Sequence, residues 1–170
     1  MSPGIDTVGG ASPPLCFMVI TVSDRAARGE YTDRSGPAVV EVLGAAFPES
    51  PVKTRVVPDE GSALRAALAE GEACDVVLTT GGTGPGPRDI TPEVTREHCE
   101  RELPGVAEAL RRESYAATPT AMLSRGYAGI KAHTVYVNLP GSVSGARECT
   151  ALLTPVLPHA VETVRGGSHE

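Results

Sequence analysis

The segment Thr79-Thr80-Gly81-Gly82-Thr83-Gly84-Pro85-Gly86-Pro87-Arg88-Asp89-Ile90-Thr91-Pro92 concentrates residue types that suit phosphate. Glycines let a backbone come close to an anion and adopt unusual dihedrals, so that N–H groups face the ligand. Arg88 can neutralise phosphate charge or pair with a surface carboxylate. Asp89 can hold a magnesium ion shared with phosphate oxygens, or serve as a turn residue before Thr91. The spacing excludes two familiar phosphate loops. Pro87-Arg88 follow Gly86, so there is no G-x-x-x-x-G-K-[ST], and no G-x-G-x-x-G is present.

The neighbouring residues show how such a loop is held. The apolar run Asp75–Thr80 reads as a buried strand leading into the glycines. Glu93 to His98 reads as a helix start, with Thr91 as N-cap and Pro92 at the first helical position. Three further runs read as strands: Cys16–Val22, Val52–Val57 and His133–Leu139. Helical spacing appears from Gly36 through Val39, Val40, Leu43 and Phe47, from Ala63 to Glu70 with Ser62 as cap, and from Pro104 to Tyr115. Ala121–Ile130 fits a short helix or a loop, and a last helix from Ser144 to Val164 should break at Pro155 and Pro158.

Strands alternating with helices predict an α/β fold: a three-layer, mostly parallel, doubly wound sheet with helices on both faces. Ligands bind such sheets outside the carboxyl ends of the strands. Those ends carry Ser23-Asp24, Pro58-Asp59, Thr80 to Gly84, and Pro140-Gly141-Ser142. Asp59 and Asp89 therefore flank one anion-binding loop. Pro140-Gly141-Ser142 can present N–H groups and a hydroxyl to a second anion, or simply cap the last helix. Asp33 reads as part of a solvated loop.

Bulk properties narrow the classes. A chain of 170 residues, 41% apolar and 21% charged, suits one globular domain. That domain is expected over 15–165, between tails at 1–14 and 166–170. A net charge of -6, with no Lys/Arg block and no Trp, argues against a nucleic-acid binder. The longest apolar run, Leu15 to Val22, is too short to span a membrane, and the start lacks the regions of a signal peptide. The expected location is cytoplasmic. Cys16, Cys74, Cys99 and Cys149 are scattered, which predicts reduced thiols and neither a zinc site nor a disulfide framework.

In combination these segments resemble the molybdopterin adenylyltransferases of molybdenum-cofactor biosynthesis: the MogA/MoaB group and the G domains of gephyrin and its plant counterpart. The resemblance runs through Thr21-Val22-Ser23-Asp24-Arg25, Val57-Pro58-Asp59, the Gly-Gly-Thr-Gly loop with Pro87-Arg88-Asp89-Ile90-Thr91-Pro92-Glu93, Met122-Leu123-Ser124-Arg125, and Asn138-Leu139-Pro140-Gly141-Ser142. It departs at Val143, where the family often has proline. The resemblance implies transfer of AMP from MgATP to the terminal phosphate of molybdopterin, with release of pyrophosphate. It implies Asp59 and Asp89 as the acidic catalytic pair and magnesium ligands. Thr80, Gly81, Gly82, Thr83, Gly84, Arg88, Pro140, Gly141 and Ser142 become binders of nucleotide or pterin phosphate. Ser23, Asp24, Ser124 and Arg125 become further substrate contacts. A homotrimer and a downstream molybdenum insertase as partner are also implied. The alternative is a non-catalytic molybdopterin-binding or carrier paralogue. The attacking phosphate monoester has a second pKa of about 6, so it is already largely a dianion at neutral pH and needs no strong base.

Overall fold

The computed structural model describes residues 14–167. The tails expected at 1–14 and 166–170 fall largely outside that span. Strands β1 (Phe17–Val22) and β3 (Val76–Thr80) are neighbours in the sheet, each buried along its whole length. Their side chains alternate between two cores. Phe17, Val19, Val76 and Leu78 point to one, and Met18, Ile20, Val22 and Val77 to the other. A run without polar alternation is what a strand covered on both faces requires.

Strand β2 (Val52–Val57) lies parallel to β1 at one edge, mostly exposed, and β6 (Thr134–Leu139) lies parallel to β3 on the other side. These four match the expected strands to within a residue or so at each end. The sheet is completed by β5 (Ala128–Lys131), antiparallel to β6, and the two-residue β4 (Arg101–Glu102), giving the order β2-β1-β3-β6-β5-β4. The region left open between helix and loop thus becomes a 3-10 turn at Pro119–Leu123 followed by the short strand β5. Four residues with a glycine among them carry too little alternation to show in sequence.

Helices α2 (Ser35–Ala46), α5 (Pro104–Ala117), α6 (Val143–Leu153) and α7 (Leu157–Val164) cover one face. Helices α3 (Gly61–Glu70) and α4 (Thr91–His98) cover the other, and a four-residue helix α1 (Asp24–Ala27) follows β1. The last helix breaks as expected, with Pro155 in the break and Pro158 in the first turn of α7. Two expected caps are absent. Helix α3 begins at Gly61, so Ser62 lies inside its first turn and caps nothing. Thr91 is already helical, and its hydroxyl donates to Gly81 O at 2.9 Å. The half-buried loop carbonyl takes the donor that would otherwise have capped the helix.

Candidate active site

The connection β1–α2–β2 crosses one face of the sheet and β2–α3–β3 crosses the other. The order therefore reverses between the carboxyl ends of β1 and β3, where a crevice must open. The glycine loop leaves β3 at this point. Gly81 has φ +98°, and a Cβ there would stand 2.4 Å from Val22 O; Gly82 has φ +65°, and its Cβ would meet Thr91 Oγ1 at 2.4 Å. Both positions exclude a side chain on dihedral and on space.

The four expected strand ends converge. Asp24 N donates to Asp59 Oδ2 and Asp59 N donates to Asp24 Oδ1, each at 2.9 Å, so the two acids clasp the ends of β1 and β2. Thr80 Oγ1 donates to Pro140 O at 2.7 Å, joining β3 to the Pro140-Gly141-Ser142 turn after β6. A Cβ on Gly141 would lie 3.2 Å from Gly81 Cα, so these two turns touch.

Beside the loop lies a cavity of about 450 Å³, within the size range of small-molecule sites. One wall is Gly82 to Pro85 with Asp89; a second is Pro140, Gly141 and Ser142. The third comes from α5, through Ala107, Leu110, Arg111 and Ser114, and from the following turn with Ser124. Ala107, Leu110, Arg111 and Ser114 recur at helical spacing, which was the available signal for a shared face. Their part in a site was not legible, because only packing brings that face against the glycine loop. Arg111 donates to Gly126 O at 2.9 Å and so holds the turn that forms this wall. Asn138 lines the cavity floor, buried, donating to Thr79 Oγ1 and Thr95 Oγ1 and accepting from Tyr127 N.

Of the expected site residues, Gly82, Thr83, Gly84, Asp89, Ser124, Pro140, Gly141 and Ser142 line this cavity. Thr80 and Gly81 support it from the strand end. Ser142 has both readings realised at once: it lines the cavity, and its hydroxyl caps α6 by accepting from Gly145 N at 3.2 Å. Asp59, Asp24, Ser23 and Arg88 sit outside the cavity lining. Asp59 Oδ1 lies 3.4 Å from the Cβ position of Gly82, so the acid borders the loop from the crevice side. Ser23 caps α1 by accepting from Ala26 N.

Arg88 pairs with Asp24 Oδ2, its side chain 68% exposed against 19% for Asp24. The Asp59 N–H holds the Asp24 carboxyl below its ordinary value; burial opposes it, and Arg88 adds to the lowering. Asp33 is not solvated as expected. It accepts from Thr21 Oγ1 at 2.7 Å and from Gly36 N at 3.1 Å, which fixes the start of α2 to β1.

Asp89 and Arg125 shape the loop itself. Asp89 Oδ2 accepts from Gly86 N at 2.9 Å. The Arg125 guanidinium donates to Gly84 O at 2.8 Å and Asp89 O at 2.6 Å, and pairs with Glu93 on α4. Its backbone N–H donates to Thr83 O. Arg125 therefore spans both ends of the loop, a different use from the expected substrate contact. Burial pushes the Glu93 carboxyl up, but Arg125 together with lesser neighbours holds it below its ordinary value.

The donor set suits magnesium. Among the described residues no three His, Cys, Asp or Glu side chains gather to form a metal cage. Magnesium ordinarily takes one or two carboxylates and completes its shell with water and phosphate oxygens. Asp59 and Asp89, bordering the glycine loop, are groups of that kind.

The family model for a probable molybdopterin binding domain matches residues 18–159. The chain belongs to this molybdopterin-binding family. It is 41% identical to the molybdopterin adenylyltransferase of Helicobacter pylori strain J99, over 87% of this chain and 86% of that one. It is 40% identical to the molybdopterin adenylyltransferase of Escherichia coli K12, over 76% and 69% respectively. The crystal structure of the molybdopterin biosynthesis enzyme MoaB from Thermus thermophilus superposes with a TM-score of 0.80 at 44% identity, covering 92% of this chain and 99% of that one. The expected α/β fold and family are thus both found. Among the described residues no helix is long and apolar enough to cross a membrane.

Proposed function

We propose that this protein is a molybdopterin adenylyltransferase of molybdenum-cofactor biosynthesis, acting through the domain at 15–165. The terminal phosphate of molybdopterin attacks the α-phosphorus of ATP, a new phosphoanhydride bond forms, and pyrophosphate leaves. The reading is carried by one observation: a cavity of about 450 Å³ shares a wall with the glycine loop at the switch point of the sheet. The relatives named above, at about 40% identity, support the same activity.

The chemistry asks for positioning and charge stabilisation more than for a base, since the attacking phosphate is already ionised. Gly82 to Gly84 bring backbone N–H groups to the phosphates, on a turn that Gly81 shapes. Pro140, Gly141 and Ser142 form the facing wall. Asp59 and Asp89 would hold magnesium, which would supply positive charge to the phosphates when bound. Arg88, exposed beside Asp24, adds positive charge at the crevice mouth. The cavity wall from α5 encloses the second substrate and excludes water from the transfer.

The acids count against a carrier, because a protein that merely binds anions gains nothing from added negative charge. Pyrophosphate release from ATP in the presence of molybdopterin tests the proposal. Binding of both ligands with no release would make the protein a carrier. A homotrimer, a cytoplasmic location and delivery to a molybdenum insertase belong to the same proposal; light scattering on the purified protein checks the first.

A further inference from the structure

At the opposite end of the sheet, Cys16 Sγ donates to Cys74 Sγ at 2.8 Å, across 58 positions of sequence. Cys16 precedes β1 and Cys74 precedes β3, the two strands that flank the crevice. The backbone holds the sulfurs together. Cys16 O accepts from Asp75 N at 2.9 Å and from Val76 N at 3.2 Å. Cys16 N donates to Asp75 Oδ2 at 2.9 Å. Cys74 is anchored in turn, its N–H donating to Gly71 O and its carbonyl accepting from Thr134 Oγ1 at 2.8 Å. The thiols of Cys99 and Cys149 are elsewhere, beside Tyr127 and Ser114 respectively.

We propose that Cys16 and Cys74 are a modification site, forming an intramolecular disulfide when the protein meets a low-molecular-weight disulfide such as oxidised glutathione. Cys16 is the more exposed of the two, and Cys74 borders a recess of about 300 Å³ that includes His133 and Arg165. Burial, and then the Cys16 contact, push the Cys74 thiol up to about 12, so attack begins at Cys16. The Cys16 thiolate attacks one sulfur of the oxidant, forming a mixed disulfide and expelling one glutathione thiolate. Cys74, on losing its proton to solvent, attacks the Cys16 sulfur and expels the second glutathione. Two protein thiols are oxidised by two electrons, and one glutathione disulfide is reduced to two thiols. The bond ties together strands whose far ends carry Asp24 and Gly81, but it lies away from both.

The test treats the purified full chain with excess oxidised glutathione, blocks remaining thiols with N-ethylmaleimide after denaturation, and maps peptides by mass spectrometry. The expected product joins the Cys16 and Cys74 peptides with a loss of about 2 Da, while Cys99 and Cys149 carry the alkyl group. The melting temperature should rise by roughly 5–15 °C, since the bond closes a long loop in the unfolded chain. Dithiothreitol should reverse the rise, and Cys74→Ser should abolish it while leaving pyrophosphate release unchanged. A mixed disulfide persisting at Cys16, or alkylation of both residues, overturns the proposal. So does a cross-link that lowers the melting temperature, because the native strand spacing would then not accommodate it. The peptide map, the alkylation pattern and the melting temperature are all read without the proposed adenylyl transfer.

Discussion

Replacing Arg125 with Met keeps an unbranched stem of similar bulk and removes every side-chain donor that staples the glycine loop, leaving only the backbone bond to Thr83 O. Lost are the bonds to Gly84 O and Asp89 O, at 2.8 and 2.6 Å, and the pairing with Glu93. A hydrogen bond to a charged group contributes about 1.5–3 kcal/mol when sheltered. The Arg125 side chain is 38% exposed and that of Glu93 53%. Water at that exposure brings each carbonyl bond to roughly 1 kcal/mol and the ion pair to roughly 0.5 kcal/mol. The sum is about 2–3 kcal/mol. If it holds the loop and Asp89 in the geometry of the transition state, its loss lowers kcat roughly 30- to 160-fold. Steady-state pyrophosphate release gives kcat and KM, and a melting curve separates a misplaced loop from an unfolded protein. Because Glu93 orients the guanidinium, Glu93→Gln should reproduce part of the loss. The double variant should then be no worse than Arg125→Met by more than about threefold. Two results would refute the reasoning. An intact kcat with a raised KM would make Arg125 a substrate contact, and strict additivity with Glu93→Gln would remove the staple.

Asp89→Ala should lower adenylyl transfer by at least about a hundredfold with the fold intact; wild-type turnover would reduce Asp89 to a loop residue that accepts from Gly86. With no base required, kcat should change little from about pH 7 to 9, above the phosphate pKa, and a steep rise centred near pH 8 would count against this. Asn138→Leu leaves the buried Tyr127 N–H unpartnered, costing about 1–3 kcal/mol. Its melting temperature should fall by roughly 3–10 °C, and an unchanged value would mean that the network adds no stability. Burial, helped by Lys131 and opposed by Glu72, holds the His98 imidazole below its ordinary value. The unfolded chain therefore takes up that proton first, and stability is lost as pH falls below about 6.5. His98→Gln should flatten the fall in melting temperature between about pH 7 and 5.5, and an equal slope in the variant would assign that fall elsewhere.

The sites that sequence made legible are those whose demands are local. An apolar, β-branched run as short as Phe17–Val22 reads as a strand covered on both faces. Gly81 and Gly82 stand where positive φ and close backbone approach leave no room for a side chain. The alternation of strands and helices then made a mostly parallel sheet, and with it the crevice at the strand ends, a consequence of chain handedness. Patterning of this kind acts over a few residues, and it placed the glycine loop, Asp59, Asp89 and Pro140-Gly141-Ser142 at one end of the sheet.

What only the tertiary structure decided is which side chains spend their hydrogen bonds on one another. Asp24 and Asp59, 35 positions apart, clasp because β1 and β2 lie in a register that brings their ends level. Arg88 is drawn to Asp24 across 64 positions, and Arg125 to Gly84 and Asp89 across 41 and 36. Ala107, Leu110, Arg111 and Ser114 become a cavity wall only because α5 packs on the face that the glycine loop borders. The contact of Cys16 with Cys74 follows from β1 and β3 being neighbours, although β2 lies between them in sequence. Short-range patterning selects the elements, whereas register and packing order choose among partners far apart in the chain, and no local preference encodes that choice.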